Sequence, residues 1–398
     1  LGLLPPGSVY SNKIWVEILL EASIVYSGSQ TASDKAAVTD FIKNARPKTG
    51  TALVNLLFWA WGMLILGTVP YMLTHSLWAF ALAFLVVTSR MGALLALAHD
   101  AQHLAFLPDR KWNDLIGAWA CAYPMGSIFG SSKAVHMAHH KLLNKPEDPD
   151  RVFHFESDKD TPRQFVVHFA RLVFGGQLWT SIVVNGVLRP LARDKNQKPC
   201  QDAPVVVLGR KGHPEILNLI PVQLVIWGAL WLASGQWWLY IALWLGPIFT
   251  LGTFVGFLRG FVDHARLRSE AADPTNPASE RLITVVNVNW LERAYLAPFS
   301  FNYHAEHHMF PSVPPYYLPE LHKLMQKSDF YRSSYAVRPS YSRFIADYWH
   351  QICTDQKPQM QAPTVQTAEH AESIPSLSEA GIGHLQQNLL VVQQEGPG

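Results

Sequence analysis

The chain has 398 residues, enough for one large domain or two ordinary ones. Apolar residues make up 49% and charged residues only 16%, well under the quarter usual in soluble domains, which argues against a freely soluble fold. A net charge of +2 without any Lys/Arg run offers no surface for nucleic acid, and three scattered cysteines (Cys121, Cys200, Cys353) with no C-x-x-C pair argue against a disulfide framework or a thiolate metal site.

Residues 1–50 open on Leu1 with no charged segment leading into an apolar run, so they read as an N-terminal cytoplasmic segment rather than a secretory signal. Residues 51–350 read as one membrane domain. Four stretches in it are apolar over the roughly 20 residues a bilayer crossing needs: 52–73, 76–98, Ile216–Ser234 and 237–258. Leu73-Thr-His-Ser76 joins the first two, and Ser234-Gly-Gln236 joins the last two, so the spans form two helical hairpins. The hairpin turns hold none of the 32 Lys/Arg, and only Arg90 lies inside a span, placed to snorkel or pair. Cationic residues favour the cytoplasmic side, which puts both termini and the central loop there. The fold expected is therefore an all-α polytopic membrane protein: four transmembrane helices in two hairpins under a cytoplasmic helical cap.

Two further segments, 113–129 (broken by Gly117, Pro124 and Gly126) and 165–188, suit helices lying at the membrane surface or, nearly as well, packed cytoplasmic helices. Residues 351–398, rich in Gln, Glu, Ser, Ala and Pro, read as a disordered tail, with 389–392 as an isolated apolar run.

Histidine carries the chemistry. HDAQH at 99–103, HMAHH at 136–140 and HAEHH at 304–308 repeat it at spacings of three and four, which share a helix face. All three clusters fall on the cytoplasmic side of the topology just drawn. The helix of the fourth span, continued past Leu258, brings Asp263 within i,i+4 of Arg259 and delivers His264 to the same side. Eight or nine imidazoles exceed what one ion can hold with open positions, so two ions are expected. Imidazole suits iron, zinc, copper and nickel, and chemistry beside a bilayer favours redox-active iron with O2.

The order HDAQH, HMAHH, HAEHH resembles the three-histidine-box membrane fatty acid desaturase superfamily, which also includes carotenoid ketolases, hydroxylases and sphingolipid desaturases. NYHAEHHMFP at 302–311, followed by Pro314-Pro315 and Leu318-Pro319, is similar to that family's third-box context, and PEDPD at 146–150 to its second. The resemblance covers about residues 50–325. It implies two non-haem iron ions, O2 as co-substrate, and removal of hydrogen from unactivated C–H bonds of an apolar lipid or acyl substrate. It implies His99, His103, His136, His139, His140, His304, His307 and His308 as ligands, with His264 completing the set, and no catalytic side chain or organic-cofactor site beyond the metal centre. Asp100, Asp148, Asp150, Asn302 and Glu306 are candidates to orient ligand imidazoles. His75 is expected to be structural, and His154, His168, His213, His322, His350, His370 and His384 to be isolated surface or packing residues.

A hydroxylase or ketolase of the same superfamily shares the first step and is the nearest alternative. An intramembrane zinc protease would read HDAQH as H-E-x-x-H with aspartate for glutamate and leave two boxes unexplained; a metal transporter would carry its histidines within the spans. With no Gly-rich dinucleotide fingerprint and no H-P-G-G haem signature, electrons are expected from a separate donor of ferredoxin or cytochrome b5 type, docking on the cationic central loop. The segment 112–129 and spans two and four are candidate walls of the substrate tunnel.

Overall fold

The computed structural model describes residues 32–143, 148–150, 160–176, 215–265, 267, 282–328, 331–332 and 334–354. Cys200, His154, His213, His370, His384, residues 177–188 and the whole tail beyond Thr354 lie outside them. Within the described residues the order is α1 (Ala32–Asn44), α2 (Thr49–Thr74), α3 (Leu77–Gln102), α4 (Arg110–Ile116), α5 (Phe129–Leu142), α6 (Pro162–Val173), α7 (Ile216–Ser234), α8 (Tyr240–His264), β1 (Ile283–Val285), α9 (Trp290–Tyr295), α10 (His304–Met309), α11 (Leu318–Met325), β2 (Ala336–Arg338) and α12 (Tyr341–Thr354).

Helices α2, α3, α7 and α8 are long and apolar enough to cross a membrane and match the four expected spans. As expected, the second and fourth helices continue past their spans, α3 to Gln102 at the first histidine cluster and α8 to His264 through Arg259–Asp263, an ion pair at 3.1 Å. Helices α2 and α3 pack so closely that a Cβ at Gly67 would lie 2.3 Å from Val86. Ser76 caps α3 by accepting from the Ala79 amide at 3.2 Å. The two hairpin turns are tied together: Tyr71 donates to Gln236 Oε1 at 2.8 Å, and Gln236 Nε2 meets His75 Nδ1 at 3.3 Å. His75 is structural, as its place in the turn suggested.

The Gly/Pro-broken stretch after α4 is not laid along a surface. It continues as a π-helical turn, Gly117–Ala122, and a 3-10 turn, Tyr123–Met125, packed among the spans. Breaking a helix frees carbonyls that an apolar environment cannot solvate. Here Trp61 of α2 donates to Ala120 O (2.9 Å), Gln223 of α7 to Tyr123 O (2.6 Å) and Trp244 of α8 to Pro124 O (3.0 Å). An apolar cleft of about 320 Å³ beside this break is lined by Trp61, Trp119, Pro124, Pro221, Val222 and neighbours on α7.

The all-α expectation needs one correction. β1 and β2 form a parallel pair, Ile283 opposite Ala336 and Val285 opposite Arg338. Three-residue strands are too short to show a period of two in the sequence. Three cores result: one among the spans, one where Phe165, Phe169 and Leu172 of α6 meet α8 and α12, and one joining α1, α10 and α11. The described part of 165–188 is accordingly a packed helix. Cys121 is buried and Cys353 exposed, and both are free thiols.

Candidate metal centre

Four elements deliver the nine histidines. The end of α3 brings His99 and, just past it, His103; α5 brings His136, His139 and His140; the end of α8 brings His264; and α10 brings His304, His307 and His308. Side-chain nitrogens of His99, His103, His136, His140 and His307 lie within 4.8 Å of one another, and those of His139, His264 and His308 form a second such group. His304 joins the edge of the second, its Nε2 3.0 Å from His264 Nε2 and its ring 4.4 Å from that of His308.

The doubled histidines explain the division. Successive side chains on a helix point about 100° apart, whereas residues four apart share a face. On α5, His136 and His140 therefore go to the first group and His139 to the second. On α10, His307 goes to the first and His308 to the second. One helix turn thus serves two sites.

The donor set suits transition-metal ions. Nε2 atoms meet in a chain, His103 to His136 at 2.8 Å, His136 to His140 at 3.1 Å and His140 to His307 at 3.2 Å. Two nitrogens bound at about 2.1 Å and a right angle to each other sit about 3.0 Å apart. The Nε2 of His308 is buried without a hydrogen-bond partner, which is costly unless another electrophile takes its lone pair. His139 Nδ1 lies 2.9 Å from Asp148 Oδ1, an arrangement that keeps the proton on Nδ1 and turns Nε2 inward.

Burial makes the charged form of these imidazoles costly, and their neighbours repel it further. It holds His103, His136, His140, His304 and His308 well below the ordinary imidazole value, and His307 at about 3. Neutral imidazole is the metal-binding form. The sign of the resulting pH dependence is fixed. Unfolded histidine takes up a proton near about pH 6.5, the buried ones do not, so stability is complete above that value and is lost as pH falls. The metal-free protein should therefore show a Tm that drops steadily from about pH 7 to about pH 5. A flat Tm over that range would contradict the buried, neutral assignment.

A second layer of contacts positions the helix that carries three of these histidines. At the N-terminus of α5, Glu215 accepts from the Gly130 amide at 2.9 Å and from the Tyr123 hydroxyl at 3.3 Å, offsetting the orphan donors and the dipole there. A Cβ at Gly130 would come 2.4 Å from Glu215 Oε1, so a larger residue there would push the carboxylate aside.

The fatty acid desaturase family pattern matches residues 75–340, more than half the chain and every histidine of both groups. The chain belongs to the fatty acid desaturase family. It is 23% identical over 265 residues to a dihydrorhizobitoxine desaturase of Bradyrhizobium elkanii, covering 64% of this chain and 70% of the relative. It is 24% identical over 256 residues to a beta-carotene ketolase of a Paracoccus strain (62% and 84%), and 22% over 293 residues to the chloroplastic omega-6 fatty acid desaturase of Arabidopsis thaliana (70% and 59%). Family membership makes the protein a desaturase-type oxidoreductase and leaves its substrate open.

Within this desaturase-family site the expected helpers divide. Of these candidates Asp148 does meet an imidazole, that of His139, and Asp150 donates its amide to Asp148 Oδ1 at 2.9 Å. Burial raises the Asp150 carboxyl to about 6. The Asp100 carboxylate lies 3.5 Å from its neighbour His99. Asn302 does not orient an imidazole through its amide nitrogen, which donates to the Val285 carbonyl at 2.5 Å and ties the third box to β1. Glu306 turns away from the two histidine groups: its oxygens take the Thr284 hydroxyl and His322 Nδ1 (2.5 Å). His322, expected to be isolated, is thus part of a clamp that also includes the Tyr335 hydroxyl at 3.1 Å. No local signal marks it, since its partners lie 16 and 13 residues away on other elements. Arg259 stacks on the Phe301 ring at 3.5 Å, and that ring lies 4.5 Å from the His99 ring.

Proposed function

We propose that this protein is an O2-dependent oxidoreductase with two non-haem iron ions that desaturates the acyl chain of a membrane lipid, its active site on the cytoplasmic face. The observation that carries this reading is the division of nine histidines into two adjoining groups above the apolar helices α2, α3, α7 and α8. His99, His103, His136, His140 and His307 would hold one ion, and His139, His264, His304 and His308 the other. Iron held there would activate O2 for removal of two hydrogens from the acyl chain, O2 going to two waters with two electrons from the external donor and two from the substrate.

The chain's own residues make that chemistry selective. Asp148 keeps the proton at His139 Nδ1. Neutral imidazoles would leave a bound pair of ions cationic, unlike the carboxylate-bridged sites of soluble bundles. Phe301 and the buried core around Leu94, Leu97 and Ala98 of α3 exclude water from below, which protects a reactive oxidant from side reactions. The placement of Lys and Arg supports a cytoplasmic orientation. Electrons come from a separate ferredoxin- or cytochrome b5-type protein; if turnover with such a donor did not fall as salt rises, its electrostatic docking would be dropped.

The zinc-protease reading does not fit the site, because His99 and His103 share their group with three further histidines from two other helices. A hydroxylase or ketolase of a carotenoid is the second reading, favoured by the Paracoccus relative, 84% of which this chain covers. Expression in a host supplied with both acyl lipids and carotenoids, read by mass spectrometry, separates the two. Loss of two hydrogens from an acyl chain is expected. Gain of oxygen on a carotenoid with unchanged acyl lipids would replace the desaturase reading.

A further inference from the structure

Helix α9 is fastened to α3 far below the histidines. The Ala294 carbonyl accepts from Ser89 Oγ at 2.7 Å and from Arg90 Nη2 at 3.3 Å, and the Tyr295 hydroxyl donates to the Leu85 carbonyl at 3.0 Å. The outer end of α3 is marked by the polar turn 74–76 and by exposed tryptophans, Trp78 at 85% and Trp237 at 59%, the usual sign of a membrane interface. From Leu77 to Arg90 the helix rises about 20 Å. Since a hydrocarbon core is about 30 Å thick, Arg90 and Ala294 sit about 10 Å inside the far face. A further rise of about 13 Å carries the helix to His99, just clear of the hydrocarbon.

The hydrogen bonding at that level is what a lipid environment demands, where polar groups must be satisfied within the protein. Arg90 also donates to the Trp59 carbonyl at 3.1 Å and to Ser89 Oγ at 2.7 Å. Glu292 is buried, accepting from the amides of Asn289 (3.1 Å) and Ser342 (2.8 Å). What α9 leaves exposed is Trp290 at 79%, Leu291 at 51% and Arg293, whose long stem allows its head to rise towards the headgroups. Beyond α9 the backbone turns through Phe299 and Ser300, both at positive φ (55° and 67°), to place Phe301 against His99.

We propose that α9 is a membrane-embedded segment whose Trp290–Leu291 face binds the acyl layer of the leaflet nearest the metal centre. The chain that floors the centre is then continuous with a surface wetted by lipid, so an acyl chain can approach the histidines laterally without leaving the leaflet. This inference rests on α3 crossing the bilayer, and the experiment separates the two.

In the full chain with Cys200 and Cys353 changed to serine, single spin labels are introduced through Leu291→Cys, Leu66→Cys on the lipid face of α2, and Lys43→Cys, exposed on α1, which packs with α10 and α11 beside the histidines. The protein is reconstituted in phosphatidylcholine vesicles, and relaxation by O2 is compared with relaxation by a water-soluble nickel chelate. Position 291 should track position 66, with O2 the stronger relaxer by several-fold. If it tracks position 43, with nickel dominant, α9 is not embedded although the spans are. If position 66 itself reads as water-exposed, the spanning reading falls and this inference with it. Trp290→Cys gives the same comparison should Leu291→Cys fail to insert.

Discussion

Replacing His307 with alanine should abolish turnover, a fall of more than about 100-fold, and lower bound iron from two ions per chain to one. His307 is the only third-box member of the five-histidine group, and its Nε2 lies 3.2 Å from His140 Nε2. Its ring also packs 4.5 Å from that of His99. Removing it withdraws a donor that joins α10 to both α3 and α5. The neighbouring change His308→Ala should remove the other ion, because His308 belongs with His139 and His264. Neither residue lies in α2, α3, α7 or α8, so membrane insertion should be unchanged, which separates loss of metal from loss of fold. Iron analysis of the purified variants, with single-turnover lipid profiling, reads both effects. An active His307→Ala enzyme, or the same ion lost in both variants, would contradict the division into two sites.

The sequence disclosed the parts of this molecule whose signal is local. Hydropathy marks the spans because every residue in them contributes to it, and Gly117, Pro124 and Gly126 mark the break after α4 because backbone chemistry acts where it stands. The histidine boxes were legible because ligand spacing on a helix is a property of a few consecutive residues. His264 was found only by following topology, since a lone histidine carries no spacing. What stayed hidden depends on partners distant in the chain. Glu215 caps a helix 85 residues earlier, Thr284 reaches Glu306 across 22, and Trp61, Gln223 and Trp244 converge on one broken turn. Nothing in the local pattern around Glu215 or His322 distinguishes them from solvated residues. Asn302 and Glu306 were singled out for nearness to the ligands, and it is their other neighbours, β1 and α11, that decide their roles.

The short β pair is where those distant contacts meet, and Arg338 tests it. Its Nη1 and Nη2 donate to the carbonyls of Val262 and Ala265, each at 2.7 Å, at the end of α8 that carries Asp263 and His264. The guanidinium is buried and stacks 3.7 Å from the Phe344 ring centroid. From β2 the frame passes to β1, where Thr284 holds Glu306 and Val285 exchanges hydrogen bonds with Asn302, fixing the third box. His264 and His308 come from opposite ends of this frame. Arg338→Met would leave two buried helix-end carbonyls unsatisfied, at about 1–3 kcal/mol each, and free the end of α8 to move. Affinity for the ion held by His139, His264, His304 and His308 should then fall about 10–100-fold, as when a partner behind a metal ligand is removed. The ion of the five-histidine group should be nearly untouched. Arg338→Lys should recover only part of the loss, since a point charge cannot serve two carbonyls in a fixed fork. Arg343→Ala, which breaks the exposed pair with Asp347, should change neither affinity nor stability by more than about 1 kcal/mol. Stepwise iron titration of the four proteins measures each site separately. Equal weakening of both sites in Arg338→Met would mean that the frame stabilises the fold without positioning His264.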